Sequence, residues 1–503
     1  MKLGAWVDAF MSAAKGNEKV VIELHGIGDG EIDSIADDSR EVSPGSLFIA
    51  RKGAQRDGHQ FIGSAIQRGA SAVVLEQPIP EDRESGPAAY VRVADSRAAL
   101  SHLAPYFYGD PASALRLVGL TGTNGKTTTA YLIDAMLREA ELHCGLLSSV
   151  IYRLGKEAVV PRNTTPGLLE LQGCFAKMRK SKVTHVTMEV SSHSLHQGRV
   201  EGCTFETAVF TNLTEDHLDY HRTMEAYYAA KKKLFDQTKG RCVINGDDPW
   251  GKRLLKEVEA PCWSYGIARK GAIHPEWYRS DVNGIAMTVQ TPAGKIDVAS
   301  PLCGVHNIYN LLAAIGAGLS LGLGKSSIAS AIRSMRSVPG RFEKIDEGQN
   351  FNVIVDYAHT EDALRRLLRA VSDLSPKRII TVFGCGGDRD KGKRPKMAAV
   401  AAAFSQVVIL TSDNPRTERP EEIIREIETG FPRGDAESGE RSHRFEKHLD
   451  RRKAIRRAVF LAEPGDAVVI AGKGHEAVQQ IGNQRLPFDD RAEARRALTE
   501  CRS

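Results

Sequence analysis

Apolar runs of four to six residues alternate with amphipathic stretches over most of the chain, most clearly in its last third. There FNVIVDYAH (351–359), KRIITVFG (377–384), QVVILTSDN (406–414) and DAVVIAGKG (466–474) read as strands. TEDALRRLLRAVSDL (360–374), PKMAAVAAAF (395–404) and EEIIREIE (421–428) read as helices between them, and 466–474 closes the series. Strands that are apolar throughout are buried on both faces, so a parallel sheet flanked by helices is predicted. This pattern is Rossmann-like, and ligands should gather beyond the carboxyl ends of its strands.

The middle of the chain opens with LRLVGLTGTNGKTTTAYLIDAML (115–137), a strand, a Gly-rich turn and an amphipathic helix in direct succession. THVTMEV (184–190), TAVFTN (207–212) and RCVINGDD (241–248) add strands of a mostly parallel sheet, and NIYNLLAAIGAGLSLG (307–322) adds a helix. Before this segment, SLFIA (46–50) and SAVVLE (71–76) flank a short helical stretch, FIGSAIQRG, and make a small α/β unit. A turn is expected at Pro78, Pro80 and the acidic run EDRE after them. Breaker clusters near Tyr108–Pro111 and at SVPGR (337–341) suggest boundaries, dividing the chain into 1–108, 109–338 and 339–503. The fold class is thus α/β throughout, in three domains.

Composition narrows the class of protein without specifying it. At 503 residues the chain is too long for one ordinary core, and 42% hydrophobic with 26% charged residues excludes a disordered or membrane-embedded polymer. The formal charge of +5 demands no nucleic-acid partner. Eight cysteines without a CxxC pair read as reduced, mostly buried thiols of a cytoplasmic protein. The first twenty residues lack the sustained apolar core of a signal peptide, and no run reaches membrane-spanning length, so no stable membrane insertion is expected.

Chemistry concentrates after the strands. GTNGKTTT (122–129) departs from the strict Walker loop, whose first glycine would fall at Leu120. Gly122 and Gly125 still let backbone amides curl round phosphate at a helix N-terminus, in an ATP-binding turn that includes Thr123, Asn124 and Thr128, with Lys126 to neutralise charge and the Thr127 hydroxyl to ligate Mg²⁺. MEVSSHSLHQGRV places Glu189 at a strand end, with Ser191, Gln197 and Arg199 beyond it, either as ligands or as satisfied loop polar groups. TNLTEDHLDYH supplies Asp216, His217, Asp219 and His221, dense enough to hold a cation, for which Mg²⁺ is the economical choice beside a phosphate loop. Lys231, Lys232 and Lys233 taken alone read as a solvated helical face. In the last third, DYAHT (356–360), the basic loop GCGGDRDKGKRPKM (384–397), SDNPR (412–416) and AGKGHE (471–476) each follow a strand. Asp413 and Asn414 can accept hydrogen bonds from an amine, and Arg416 offers a fork to a carboxylate.

NTTP (163–166), EVSSHSL, DHLDYH, GRFE (340–343), DYAHT, GCGGDRDKGKRP and SDNPR together resemble the Mur ligase family over nearly the whole chain, from DSR (38–40) to KGHE (473–476). The family's shorter phosphate loop accounts for the missing Walker glycine. The resemblance implies a small UDP-sugar-binding α/β domain, a central P-loop ATP-binding domain and a Rossmann-like amino-acid-binding domain. It implies Ser39 as a uridine-diphosphate contact, and Asn163, Thr164, Thr165, Ser191, Gln197 and Arg199 as contacts to the acceptor peptide. Lys126, Thr127, Glu189 and His217 fall on phosphate and Mg²⁺ positions, and Lys231 on that of a carbamylated lysine acting as an oxygen ligand. Asn307, Asn310, Arg341 and Asp356 fall on the nucleotide side.

Arg389, Asp413, Asn414, Pro415, Arg416, Gly472 and Glu476 fall on positions that hold the incoming amino acid. The arginine of DNPR goes with meso-diaminopimelate, whose far carboxylate a guanidinium can grip; it would repel lysine. The implied activity is ATP-dependent addition of meso-diaminopimelate to UDP-N-acetylmuramoyl-L-alanyl-D-glutamate in peptidoglycan synthesis, through an acyl phosphate, with ATP and Mg²⁺. Alternatives are an L-lysine-adding or relaxed ligase of the same family, or an inactive nucleotide-binding scaffold. Four positions depart from the family's pattern: Glu215 for arginine, Arg222 for glycine, His306 for phenylalanine and Glu361 for proline.

Overall fold

A computed structural model describes residues 1–13, 20–26, 31–53, 56–79, 89–268, 270–281, 283–432 and 444–502. The turn expected at Pro80 and EDRE lies outside these residues. The chain forms two compact units, one of residues 1–117, 143–147 and 151–206, the other of 118–142, 148–150 and 207–503.

The first unit contains a five-stranded sheet, in spatial order Val21–His25, Ala89–Val93, Ala70–Leu75, Ser46–Ile49 and Ser34–Ala36. Only the pairing of Val21–His25 with Ala89–Val93 is antiparallel. Both faces are covered, which explains why Ser46–Ile49 is buried at every position. Leu47, Ile49, Val74 and Val91 pack with Trp6, Phe10, Leu100 and Leu103 of two helices, while Phe48, Val73 and Tyr90 pack with Ala65 on the other face. The helix Ser96–Tyr108 starts on Asp95, whose carboxylate accepts from the Arg97 and Ala98 amides, and ends at Gly109 with φ +71°. The expected breaker is therefore a left-handed cap. Farther on, His185–Glu189 runs parallel to Cys144–Leu147, beside the antiparallel strands Tyr152–Leu154 and Glu157–Val159.

In the second unit, Cys262–Tyr265 lies parallel to Thr238–Asn245, with Phe205–Phe210 and Arg116–Thr121 next in order. The helices Lys126–Glu139 and Val305–Ser320 pack against each other there. The sequence pattern did not foresee the antiparallel sheet His274–Asp281, Gly284–Gln290 and Ile296–Ser300.

The last third forms a six-stranded sheet in spatial order Glu343–Lys344, Asn352–Asp356, Ala467–Ala471, Ile379–Phe383, Val407–Thr411 and Arg444–His448. All pairings but the first are parallel. Ala467–Ala471, the closing strand in sequence, is central in space. Leu364, Leu367, Leu368 and Val371 recur at helical spacing and bury one face, with Met397, Ile424 and Ile427. Ile455, Val459 and Leu498 bury the other. A hairpin, Val478–Ile481 with Gln484–Pro487, and the helix Asp490–Arg502 follow. Among the described residues no helix is long and apolar enough to cross a membrane. All eight cysteines are free, six of them buried.

Candidate active site

The strand Arg116–Thr121 delivers the chain into the Gly-rich turn, and the helix from Lys126 begins at once. The two glycines are needed for space and conformation. Gly122 has φ +146°, and a Cβ there would lie 1.9 Å from Thr211 Oγ1; Gly125 has φ +88°, and its Cβ would lie 2.4 Å from Asn310 Oδ1. The turn is held from below by Thr211, which donates to the Asn124 carbonyl at 2.6 Å, and by Asn212, whose Oδ1 accepts from the Asn124 amide at 3.0 Å. The Thr123 hydroxyl accepts from the Thr214 amide at 3.0 Å, and Asn124 Nδ2 donates to Asp362 at 3.0 Å. Thr128 is buried beneath the turn. Asn310 Nδ2 donates to Asn307 Oδ1 at 2.9 Å, and Asn307 in turn donates to the Cys303 carbonyl, so this pair forms one chain of bonds behind Gly125.

Two lysines converge on one carbonyl. Lys126 Nζ donates to the Gly122 carbonyl at 2.9 Å and to the Thr123 carbonyl at 3.0 Å, and Lys231 Nζ donates to the same Gly122 carbonyl at 2.9 Å. Lys231 is 2% exposed and lies over the Tyr227 ring, so the reading of a solvated helical face is wrong for this residue. Burial, and behind it the Lys126 ammonium, drives its amine well below the ordinary lysine range. Burial likewise pushes the His217 imidazole down to about 4; Asp216 opposes this, while Lys231 and Lys126 reinforce it. His217 therefore offers a neutral ring at physiological pH. The Thr127 hydroxyl lies 3.0 Å from Ser149 Oγ and accepts from Arg341 Nη2 at 3.2 Å. Asp356 accepts from the Phe342 and Ala358 amides at 2.7 Å each, and so ties the strand end to the residue after Arg341.

In the first unit, the expected acceptor residues form a connected set. Thr165 Oγ1 donates to the Glu189 carbonyl at 2.9 Å and accepts from the Ser191 amide at 3.0 Å. Arg199 donates to the Thr165 carbonyl at 3.1 Å and to Gln197 Oε1 at 2.9 Å. Tyr152 donates to the Asn163 carbonyl, fixing the loop that also carries Thr164. That loop reaches the turn bearing Ser39 through the Arg162–Glu41 ion pair at 3.5 Å. Glu189 is 1% exposed at its strand end.

In the second unit, the carboxyl ends of the parallel strands draw the remaining residues together. A Cβ on Gly384 would lie 2.1 Å from the Thr411 carbonyl, and one on Gly472, whose φ is +117°, would lie 2.6 Å from Asp413 Oδ2. Asn414 donates to Glu476 Oε2 at 2.9 Å, and Arg416 donates to the Gly387 carbonyl at 2.6 Å. Pro415 is buried between them, and its carbonyl accepts from the Glu418 amide. Burial, and then the Arg389 guanidinium, lowers the Arg416 pKa. Arg389 is itself exposed on the basic loop. The pocket thus gathers two guanidiniums near two carboxylates, a pattern suited to a zwitterion.

Three family models match the chain: Mur ligase family, catalytic domain, over residues 31–108; Mur ligase middle domain over 120–318; and Mur ligase, glutamate ligase domain, over 340–474. A UDP-N-acetylmuramoyl-L-alanyl-D-glutamate–2,6-diaminopimelate ligase of Geobacillus thermodenitrificans is 45% identical over 487 residues, 95% of this chain and 97% of the relative. The chain belongs to the Mur ligase family. A ligase of the same description from Geobacter sulfurreducens is 47% identical over 92% of this chain and 94% of its own. A solved structure bearing that description superposes with a TM-score of 0.65 at 34% identity, covering 93% of this chain and 95% of that one. The protein is accordingly an ATP-dependent ligase of multi-domain α/β architecture.

Four positions depart from the expected family pattern, and their surroundings differ. Arg222 has φ +67°, a conformation that glycine adopts without strain, which explains why glycine is usual there. His306 is held neutral, its pKa pushed down by burial to about 4, and it stacks obliquely on Phe342 at 6.2 Å, filling an aromatic role. Glu361 is the first helical residue after the cap Thr360, where proline is favoured for its fixed φ and glutamate for its charge. Glu215 is exposed and lies 3.5 Å from Lys396. Sequence reasoning missed Ser149, Tyr227, Asp362 and the hairpin 478–487, none of which sits in a recognisable motif.

Proposed function

We propose that this Mur ligase adds meso-diaminopimelate to UDP-N-acetylmuramoyl-L-alanyl-D-glutamate in the cytoplasm, as a step of peptidoglycan synthesis. Residues 1–108 bind the UDP-sugar, 109–338 the ATP through a P-loop, and 339–503, a Rossmann-like domain, the incoming amino acid. Ser39, Asn163, Thr164, Thr165, Ser191, Gln197 and Arg199 orient the acceptor, and Arg389, Asp413, Asn414, Pro415, Arg416, Gly472 and Glu476 the donor. The supporting observation is the Gly-rich turn at the start of the helix Lys126–Glu139, with the Lys126 ammonium folded onto the Gly122 and Thr123 carbonyls: a cation at a helix N-terminus suits a polyanion beside it.

The glutamyl carboxylate attacks the γ-phosphorus, the bond to the β-phosphate oxygen breaks, and ADP leaves an acyl phosphate behind. The donor's neutral amine then attacks the acyl carbon, phosphate departs, and the proton lost from nitrogen leaves with it or with solvent. Gly122 and Gly125 present backbone amides with no side chain in the way, and Lys126 and Arg341 neutralise the transferring group. Asn307, Asn310 and Asp356 set the nucleotide side. Oxygen donors fit Mg²⁺: Thr127 and Lys231 as its carbamate would hold the ion, His217 would add one neutral nitrogen to an otherwise oxygen shell, and Glu189 keeps its proposed metal role. Among the described residues no three His, Cys, Asp or Glu cluster as a metal cage, so phosphate and water oxygens complete the shell, as is usual for this ion. The bound ion would draw charge from the phosphates.

A neutral amine is the form that adds CO₂, and Lys231 is buried in conditions that favour it. Enzyme depleted of CO₂ is expected to lose most of its activity and regain it on addition of bicarbonate, whereas Lys231→Arg should not respond. Equal activity with and without bicarbonate would remove the carbamate.

The donor is tested by ADP release with ATP, Mg²⁺, the UDP-linked dipeptide and either meso-diaminopimelate or L-lysine. Diaminopimelate should be preferred by about 100-fold, and Arg416→Ala should raise its KM by a similar factor while leaving the KM for ATP in place. Equal use of both donors would overturn the assignment.

A further inference from the structure

The Asn414 amide is read above as able to face an amine with its oxygen, but its surroundings forbid that. Its Oδ1 accepts from the ammonium of Lys473 at 3.0 Å and from the Gln480 backbone amide at 2.9 Å. Both partners are obligate donors, so the atom between them must be the oxygen, whichever way the amide is drawn. Nδ2 spends one hydrogen on Glu476 Oε2, at 2.9 Å. What remains for a ligand is the second N–H. We infer that Lys473 fixes Asn414 as a hydrogen-bond donor, so that Asn414 reads a carboxylate of the incoming amino acid, beside Arg416, rather than its amine.

Lys473 is suited to this positioning role. It is 0% exposed, and its three hydrogens are used on Asn414 Oδ1, Glu476 Oε2 at 2.9 Å and the Val478 carbonyl at 2.7 Å. An ammonium so placed has nothing left with which to bind a ligand; it orders the groups around it. The hairpin behind it completes the clamp. Gln479 donates to the Asp413 carbonyl at 2.7 Å, and the Arg416 backbone pairs with the hairpin through the Gln480 carbonyl at 3.2 Å and the Gly482 amide at 2.7 Å. This holds Arg416 at φ +51°, in the left-handed region. Glu476 Oε2 is doubly engaged by Lys473 and Asn414, which leaves Oε1 as the pocket's acceptor for the donor's ammonium. The two sides of the pocket thereby divide: Asn414 and Arg416 for carboxylate, Glu476 for ammonium.

This rests on the reading of 413–416 and 472–476 as the donor pocket, and the wild-type enzyme tests that reading separately: it must release ADP in response to meso-diaminopimelate. Given that, Asn414→Asp decides the polarity. The change is isosteric and keeps an oxygen against Lys473, but the second oxygen replaces Nδ2 beside Glu476 Oε2, so thermal stability should fall modestly while circular dichroism shows the fold retained. The KM for diaminopimelate should rise at least 30-fold, with the KM values for ATP and the UDP-linked dipeptide within twofold of wild type. An unchanged or lower KM for diaminopimelate would show that Asn414 accepts from an amine, and would overturn the inference. Lys473→Met should raise the same KM by about tenfold, with kcat at saturating donor within threefold. A variant in which all three KM values move together would reduce Lys473 to a merely structural residue.

Discussion

Lys126→Met is expected to lower kcat by about 10²–10³ while leaving the protein folded. Methionine keeps the length of the stem but removes the ammonium that the Gly122 and Thr123 carbonyls now hold. The folded state loses two exchangeable hydrogen bonds, worth about 1 kcal/mol each. The transition state loses more, because charge builds on the transferring phosphoryl group at the place where the ammonium is poised. Two neighbours should respond as well. Lys126 is among the charges that depress Lys231 and His217, so both should titrate higher in the variant. The activity that remains should therefore fall off at a higher pH on the acid side than in wild type, because His217 is lost as a neutral donor sooner. ADP release measured from pH 5 to 9, with ATP-dependent thermal stabilisation as the binding control, checks both effects. Wild-type kcat in this variant would remove Lys126 from the chemistry.

What the sequence made legible follows from where information is local. GTNGKTTT identifies its own turn because the geometry comes from two glycines and the helix that starts four residues on from the first. The parallel sheet of the last third was equally readable, since strands buried on both faces leave continuous apolar runs. The central position of Ala467–Ala471 was not readable: it depends on which strand inserts between Asn352–Asp356 and Ile379–Phe383, and all three have apolar, buried centres. The antiparallel sheet 274–300 was missed because His274–Asp281 carries exposed or half-buried residues throughout and lacks an apolar stripe. Burial of Lys231 is likewise a tertiary fact, invisible in a run of three lysines. The donor polarity inferred for Asn414 was unreadable for the same reason, since the groups on which the inference rests, Lys473 and the Gln480 amide, lie 59 and 66 residues away in sequence.

Asp490→Asn should destabilise the last third of the chain by about 3–5 kcal/mol, the cost of stranding a buried charge. Asp490 and Arg451 are both 0% exposed in their side chains and meet through two bonds of 2.7 Å each. Arg451 also donates to the Ala471 carbonyl at 2.9 Å, one residue before Gly472. The ion pair thus joins two helices, Arg451–Leu461 and Asp490–Arg502, to the end of the central strand on which the donor pocket is built. The two single variants should differ. A carboxylate left alone can take up a proton, so Arg451→Met should be the milder change and should recover part of its stability as the pH falls. A guanidinium cannot shed its charge, so Asp490→Asn should show no such recovery. Replacing both, as Arg451→Met with Asp490→Leu, should regain much of the loss, because desolvation of two charges offsets most of what their attraction contributes. Hydrogen exchange at the amides of Ala467–Ala471 reads the effect where it should be largest. Because the Ala471 carbonyl would lose its donor in every Arg451 variant, the KM for diaminopimelate should rise in the double variant even where protection is restored. Restored protection together with a wild-type KM would show that the ion pair serves the fold alone.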